Sequence, residues 1–387
     1  MRLSVIPEIN KEYDIYLDNI ARNLSITKTM YDKAVSAYTS VGNWLDTGLS
    51  DYKVSIFTQG SFNLGTTIKP ISDNDDYDID LVCLVENKDK IHSAKLLKAS
   101  IGHQLEMNKT YKEKLSPEGK RCWTLEYEEF HMDILPAMPK NENFDKEKNG
   151  DIIITHTDDF QNYRFQESNP FEFKKCFINR SQIRKLEEVQ FQRSMEAVDP
   201  VPKYLDTTVL QECIKLLKRH RDLMFKKDDE DAPISMIITT LAGLAYDGSQ
   251  SISIALEVIL NKMDSFIQKD SNGNYRIENP VNQNENFADK WNKKIIKAKN
   301  FYKWLDKARK DFILDSKKVT GLDDLCSLLS DSLGKDLVKK SFSDVADIRR
   351  HLRENKSLYV RKDLMSNFAF EKSNDNMQIK EHVFFGK

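Results

Sequence analysis

The sequence predicts an α+β fold of two lobes, a mixed α/β lobe followed by a helical one. Three observations carry this. Strand-length apolar runs such as Leu81-Val82-Cys83-Leu84-Val85 and Ile152-Ile153-Ile154 all lie before residue 160. From residue 206 on, apolar residues recur at three- and four-residue steps over long stretches, the spacing of a buried helix face. Between them, residues 158–202 lack clean periodicity and contain Ser168-Asn169-Pro170, as a crossover would. Residues 1–165 are therefore expected to hold an N-terminal helix and the α/β lobe, residues 166–205 the crossover, and residues 206–387 the helical lobe.

In chain order, residues 8–49 read as one helix, with Ile15, Leu17, Ile20, Leu24, Ile26, Met30, Ala34 and Tyr38 on its apolar face. This helix is expected to brace both lobes. Val54, Ile56 and Phe57 begin a short strand that leads into a glycine-serine turn, and Asp73-Asn74-Asp75-Asp76 is a polar turn before the next strand. A helix over 90–105 precedes a hairpin whose arms are 121–127 and 130–135, and 151–155 is a further strand. Helices follow over 206–225, 235–246, 251–266 and 287–312, the first capped by Asp206, with a polar surface island at 268–283.

The chain has 387 residues, 40% hydrophobic and 31% charged, with a formal net charge of −2. A core of ordinary size follows, and no global basic field is present to gather nucleic acid. Five scattered cysteines, Cys83, Cys122, Cys176, Cys213 and Cys326, have no zinc-ligand spacing and read as reduced thiols. The N-terminal residues lack a signal-peptide core and no apolar run has membrane-spanning length. A cytoplasmic protein is the expectation.

The residues that carry chemistry lie in the first lobe. In Tyr77-Asp78-Ile79-Asp80-Leu81-Val82, alternation along a strand puts Asp78 and Asp80 on one face. A solvated acidic turn accounts for Asp73, Asp75 and Asp76. It does not account for two carboxylates flanked by Ile79, Leu81 and Val82, which are costly to bury without a compensating cation. A calcium loop beginning at Asp76 fails, because Leu81 stands at the glycine position and Asn87 at the bidentate glutamate position. Asp133, in Phe130-His131-Met132-Asp133-Ile134-Leu135, supplies a third acid on another strand. Gly60-Ser61-Phe62-Asn63-Leu64-Gly65-Thr66-Thr67 is spaced like a P-loop but lacks its lysine. It reads better as a turn whose amides and Ser61 hydroxyl grip a triphosphate. In the helical lobe, Lys218 and Arg219 lie in a basic run that could face phosphates. Ser235, just after Pro233, opens a helix whose free amides favour anions. His131, His156 and His220 read as structural. A phosphate cradle with three carboxylates is the parts list of a two-metal phosphoryl or nucleotidyl transferase.

Taken together, Gly60-Ser61, Asp78-Ile79-Asp80 and Asp133 resemble the polymerase-β-like nucleotidyltransferases. More narrowly, Thr58-Gln59-Gly60-Ser61-Phe62, Gly65-Thr66-Thr67-Ile68-Lys69-Pro70 and Asp76-Tyr77-Asp78-Ile79-Asp80-Leu81-Val82 resemble the bacterial CD-NTases. These are relatives of cyclic GMP–AMP synthase and oligoadenylate synthase in CBASS-type anti-phage signalling. Leu216-Leu217-Lys218-Arg219-His220-Arg221-Asp222, Glu285-Asn286-Phe287-Ala288-Asp289-Lys290-Trp291 and the tail His382-Val383-Phe384-Phe385-Gly386 extend the resemblance almost to the end of the chain. The resemblance implies a bilobed enzyme that joins nucleoside triphosphates (ATP, GTP, UTP or CTP) into a cyclic oligonucleotide. It implies two Mg²⁺ ions, with Mn²⁺ as a substitute, on Asp78, Asp80 and Asp133, and Gly60, Ser61, Lys218 and Ser235 on the nucleotide. Implied partners are regulatory or conjugating proteins and an effector that binds the product, with no membrane and no required nucleic acid. Two departures stand out. The spacing from Ser61 to Asp78 is longer than in many relatives, and Met236 stands where relatives often place a base-stacking Tyr. The competing readings are a nucleotidyltransferase acting on RNA ends, a protein or a small molecule, and a non-catalytic RNA-binding scaffold of the same fold.

Overall fold

The structure, a computed structural model, describes residues 6–72, 76–86, 92–146, 150–158, 161–182, 207–314, 319 and 321–355, with three short strands at 359–361, 368–369 and 376–378. The expected turn residues Asp73, Asn74 and Asp75, the Asp206 cap, residues 183–205 of the crossover and the tail from 379 on lie outside the described residues.

The long first helix is two helices. α1 (Ile6–Leu24) and α2 (Lys28–Gly48) are separated by Ser25-Ile26-Thr27, and the Thr27 side chain accepts from the Met30 amide to start α2. The break sends the two helices to different cores. α2 packs Ala34, Tyr38, Val41 and Leu45 against a sheet. α1 instead buries Tyr13, Tyr16, Leu17, Ile20 and Leu24 among the C-terminal helices.

The sheet comprises β1 (Val54–Gln59), β2 (Tyr77–Val85), β3 (Trp123–Glu126), β4 (Phe130–Pro139), β5 (Ile152–Thr157) and β6 (Tyr163–Ser168). Its order is β1-β2-β4-β5-β6, with β3 paired to the first half of β4. β2 and β4 are parallel, and the other pairs are antiparallel. One face, with Ile56, Ile79, Leu81, Cys83, Met132 and Ile134, is covered by α2 and α4 (Ala94–Glu106). The other face buries Val82, Leu84, Leu135, Ala137, Ile152 and Ile154 in a smaller cluster. Short helices α3 (Gly60–Asn63) and α5 (Lys109–Lys114) interrupt the connections.

The stretch without clear periodicity is regular at its start, forming β6 and then α6 (Pro170–Ser181). Asn169 caps α6 by accepting from the Glu172 amide, and Pro170 fills the first turn where its missing N–H costs nothing. The helical lobe follows: α7 (Val209–Met224), α8 (Ser235–Ala245), α9 (Ile252–Lys262), then α10 (Asp289–Lys293), α11 (Ile296–Phe312), α12 (Leu322–Leu333) and α13 (Lys335–Glu354). Thr208 and Gln211 cap α7 with a reciprocal capping box. The polar island carries β7 (Gln268–Lys269), β8 (Tyr275–Arg276), β9 (Glu278–Asn279) and β10 (Asn282–Asn286). Leu210, Ile214, Leu217, Leu241, Leu256, Phe301 and Trp304 build one core around α1. Polar contacts fix α1 there: the buried Tyr13 hydroxyl donates to the Phe312 carbonyl (3.0 Å), and Asp14 accepts from the Ser253 amide (2.7 Å) at the start of α9. All five cysteines are free. Among the described residues no helix is long and apolar enough to cross a membrane.

Glu212 on α7 lies close to α1, where burial and then the Asp18 charge push its carboxyl up to about 7. The folded chain thus holds a proton that the unfolded chain, with a glutamate near ~4.3, has released. Stability tied to this proton is present below that value and is lost as pH rises through about 7. Glu212→Gln keeps an acceptor for the Thr207 hydroxyl. It is expected to add on the order of 1–3 kcal/mol at about pH 8 and far less near pH ~4. Urea denaturation at the two pH values measures this, and an equal change at both would refute it.

Candidate active site

The site begins with the alternation of β2. Ile79, Leu81 and Cys83 enter the core beneath α2 and α4, so Asp78 and Asp80 share the opposite face with the buried Val82 and Leu84. Parallel pairing then sets Asp80 directly beside Asp133 and Asp78 beside His131, about one strand spacing of ~4.8 Å apart. From the antiparallel side, β3 places Thr124 opposite Asp133, and the Thr124 hydroxyl donates to Asp133 Oδ1 at 2.5 Å.

The three acids share one field. Burial, then the charges of Asp133 and Asp78, push the Asp80 carboxyl up to about 7, with Lys218 opposing. Asp78 is also raised, by burial and by Asp133, while His131 and Lys218 act the other way. Such mutual repulsion marks an excess of negative charge that a divalent cation would relieve. As the side chains stand, no three Asp, Glu, His or Cys groups among the described residues gather closely enough to hold a metal ion. Their chemistry fits Mg²⁺ or Mn²⁺ nonetheless: hard carboxylate oxygens on adjoining strands, under-compensated by cations. Nearby, burial pushes the Cys122 thiol up to about 11, so it stays protonated at neutral pH.

Beside the acids, β1 runs into the Gly60 loop, which forms the short helix α3 rather than an open turn. Gly60 has φ +63°, and a Cβ there would lie 1.9 Å from Asp80 Oδ2. Glycine is required on both counts. The Ser61 hydroxyl lies 3.0 Å from that of Thr67. α7 fastens the loop from below: Gln211 donates to the Leu64 carbonyl (2.8 Å), Lys218 to Thr66 (2.9 Å), and Arg219 to Lys69 (2.6 Å) and Pro70 (3.0 Å). Arg219, a weaker phosphate candidate, is thereby committed to the loop backbone. Lys218 is buried and its amine is lowered to about 8 by burial and by Arg221, while Asp78 and Asp80 pull it upward.

Ser235 is the first residue of α8, as expected, and its hydroxyl accepts from Arg221 (3.1 Å). Met236 packs against the helical core, so it offers no free platform for a base. His220 is structural, buried 3.0 Å from Asp311. His131 differs from the expectation: it shares the face of the acids and pairs with Asp76 at 3.0 Å. Sequence reading also missed Thr124 and Arg221. For Thr124 the signal was present, since the hairpin around Glu128-Glu129 sets its register against Asp133.

Comparison with known proteins bears on this geometry. The Second Messenger Oligonucleotide or Dinucleotide Synthetase domain matches residues 12–180, the segment that carries all three acids and the Gly60 loop. A protein of Roseivirga ehrenbergii named c-di-GMP synthase is 27% identical over 379 residues, covering 96% of each chain. The chain is thus similar in sequence to this synthetase domain over residues 12–180 and to the Roseivirga protein along its length. Among solved structures, the Bradyrhizobium diazoefficiens CD-NTase CdnG in complex with GTP has a TM-score of 0.67 at 19% identity. That match covers 86% of this chain and 97% of that one. Escherichia coli MS115-1 CdnC with ATP has a TM-score of 0.56 at 15% identity, covering 82% and 97%. The CD-NTase fold, polymerase-β-like and bilobed, is therefore that of this chain.

Gly60→Ala tests the close approach of loop and acid. The strained φ and the clash with Asp80 are expected to cost roughly 1–3 kcal/mol of stability and to reduce turnover at least ~10-fold. Thermal melts and initial rates read the two effects, and a variant with unchanged rate would show that the loop does not position Asp80.

Proposed function

We propose that the chain joins nucleoside triphosphates into a cyclic oligonucleotide second messenger, releasing pyrophosphate at each bond. The observation that carries this reading is the in-register pair Asp80–Asp133, beside Asp78 and against the Gly60 loop. GTP is the first substrate to test, since the Roseivirga relative is named for a guanine product and the Bradyrhizobium structure holds GTP. Anti-phage signalling through an effector that binds the product is the matching cellular role.

The Gly60 and Ser61 amides and the Ser61 hydroxyl hold the donor triphosphate, with Lys218 and Ser235 facing it from the helical lobe. Asp78, Asp80 and Asp133 would hold two Mg²⁺ ions, or Mn²⁺ in their place, which when bound would lower the pKa of the attacking hydroxyl and offset charge on the leaving pyrophosphate. A ribose hydroxyl oxygen of the acceptor bonds to the donor α-phosphorus, the bond from that phosphorus to the β-phosphate bridging oxygen breaks, and its electrons leave with pyrophosphate. Asp133 takes the hydroxyl proton, with Thr124 fixing the orientation of its carboxylate. A second round on the turned intermediate closes the ring.

Purified protein given labelled triphosphates and no acceptor is expected to yield a phosphatase-resistant product whose mass identifies the ring. Asp78→Asn or Asp80→Asn is expected to lower its formation by at least ~10³-fold with the fold intact. Mn²⁺ should raise the Tm of the wild type but not of Asp80→Asn, because only a cation held by the folded state stabilises it. Wild-type product levels in either variant, or extension of an RNA end in place of a ring, would overturn the reading.

A further inference from the structure

The sheet face that carries the acids continues across β5 and β6, and its charge changes sign there. Ile152 and Ile154 are buried with Val82, Leu84 and Leu135, so the next residue on that face of β5 is His156. Arg164 on β6 lies directly opposite His156 in the ladder. The segment entering β3 is drawn alongside, because the Thr157 amide donates to the Lys120 carbonyl at 2.7 Å. That bond sets Arg121 beside the end of β5.

Arg121 and Arg164 are exposed, and among the described residues neither has a hydrogen-bond or ion-pair partner. His156 Nδ1 is buried with no partner. Burial, then the charges of Arg164, Arg121, Lys98 and Lys120, lower the His156 pKa. The Lys98 charge is met by Glu118 at 3.0 Å. Arg121 is also felt by Glu285 on β10 of the helical lobe, so the basic strip lies where the two lobes face each other. In a chain of net charge −2, unpaired cations gathered on the face of a catalytic cleft call for an anionic ligand.

We infer that Arg121, His156 and Arg164 form a second anion subsite, which holds the 5′-phosphates of the nucleotide whose hydroxyl attacks. The inference rests on the proposed reaction and adds where its second substrate binds. β5 joins β4 at Ala137 to Pro139, past the stretch that β3 covers, so His156 and then Arg164 lie on the order of 10 Å from Asp133, across and along the sheet. A nucleoside triphosphate spans that interval between its ribose hydroxyl and its outer phosphates. The Gly60 loop sits on the other side of β2, at the β1 edge. Two highly charged triphosphates would then lie on opposite sides of the acids, their mutual repulsion reduced by separation. Arginine suits this task through paired N–H groups that match two phosphate oxygens.

The test uses a 2′,3′-dideoxy triphosphate, which can donate but not accept, with either GTP or guanosine as acceptor. The wild type is expected to favour GTP. In Arg164→Ala, and further in Arg121→Ala/Arg164→Ala, this preference in kcat/KM falls at least ~10-fold, and Arg164→Lys recovers part of it. Independently, the affinity of the wild type for inorganic tripolyphosphate in Mg²⁺-free buffer falls in the double variant. An unchanged acceptor preference, or an unchanged tripolyphosphate affinity, overturns the subsite. Absence of any turnover by the wild type would instead refute the proposed reaction, and tripolyphosphate binding would then decide whether the anion site stands.

Discussion

Parallel pairing between β2 and β4 is the constraint on which the site depends. It is the one parallel junction in an otherwise antiparallel sheet, and its register decides that Asp80 meets Asp133. A shift of a single residue would turn either acid into the core beneath α2 and α4. The apolar second halves of both strands, Val82 to Val85 and Ile134 to Ala137, hold the register by burial on both faces. Charge repulsion at the first halves works against the pairing, as the raised Asp78 and Asp80 carboxyls show. The hydrophobic half of each strand thus stabilises a junction that the acidic half weakens.

α7 ties that junction to the helical lobe. Along its buried face, Gln211, Lys218 and Arg219 take up four backbone carbonyls between Leu64 and Pro70. Phe62, Leu64 and Ile68 anchor the loop in the flanking cores, and the bonds from Lys218 and Arg219 add charge-assisted fixity to its backbone. Lys218 serves two ends at once: its amine satisfies Thr66 while its charge opposes those of Asp78 and Asp80. Relative movement of the lobes would therefore be transmitted to the loop beside the acids through this helix.

The elements around the acids were legible because strand alternation, a tight hairpin and glycine spacing are local signals. Asp78, Asp80, Asp133 and Gly60 emerge from such signals, and the helix starting at Ser235 from its preceding proline. The break between α1 and α2 was hidden because Ile26 and Met30 continue the apolar spacing across it; what separates the helices is that their apolar faces serve different cores. β6 and α6 escaped notice because an edge strand with half-buried residues shows weak alternation, and α6 fully buries only Phe173 and Phe177. The bond from Lys218 to Thr66 spans 152 residues, and no pattern in the sequence encodes a contact of that range. The basic strip was invisible for the same reason, since Arg121, His156 and Arg164 meet only through strand pairing.

The placement of α1 bears on how the chain reaches this structure. α1 leaves the ribosome well before α7, α9 and α13, which shelter its aromatic and aliphatic stripe. At ~5–20 residues per second, tens of seconds pass before α13 exists. During that interval the nascent chain carries a greasy helix with no home, while α2 and the sheet are already free to condense. Biogenesis of this protein is therefore exposed to aggregation through α1, and holdase-type chaperones would find a binding segment there.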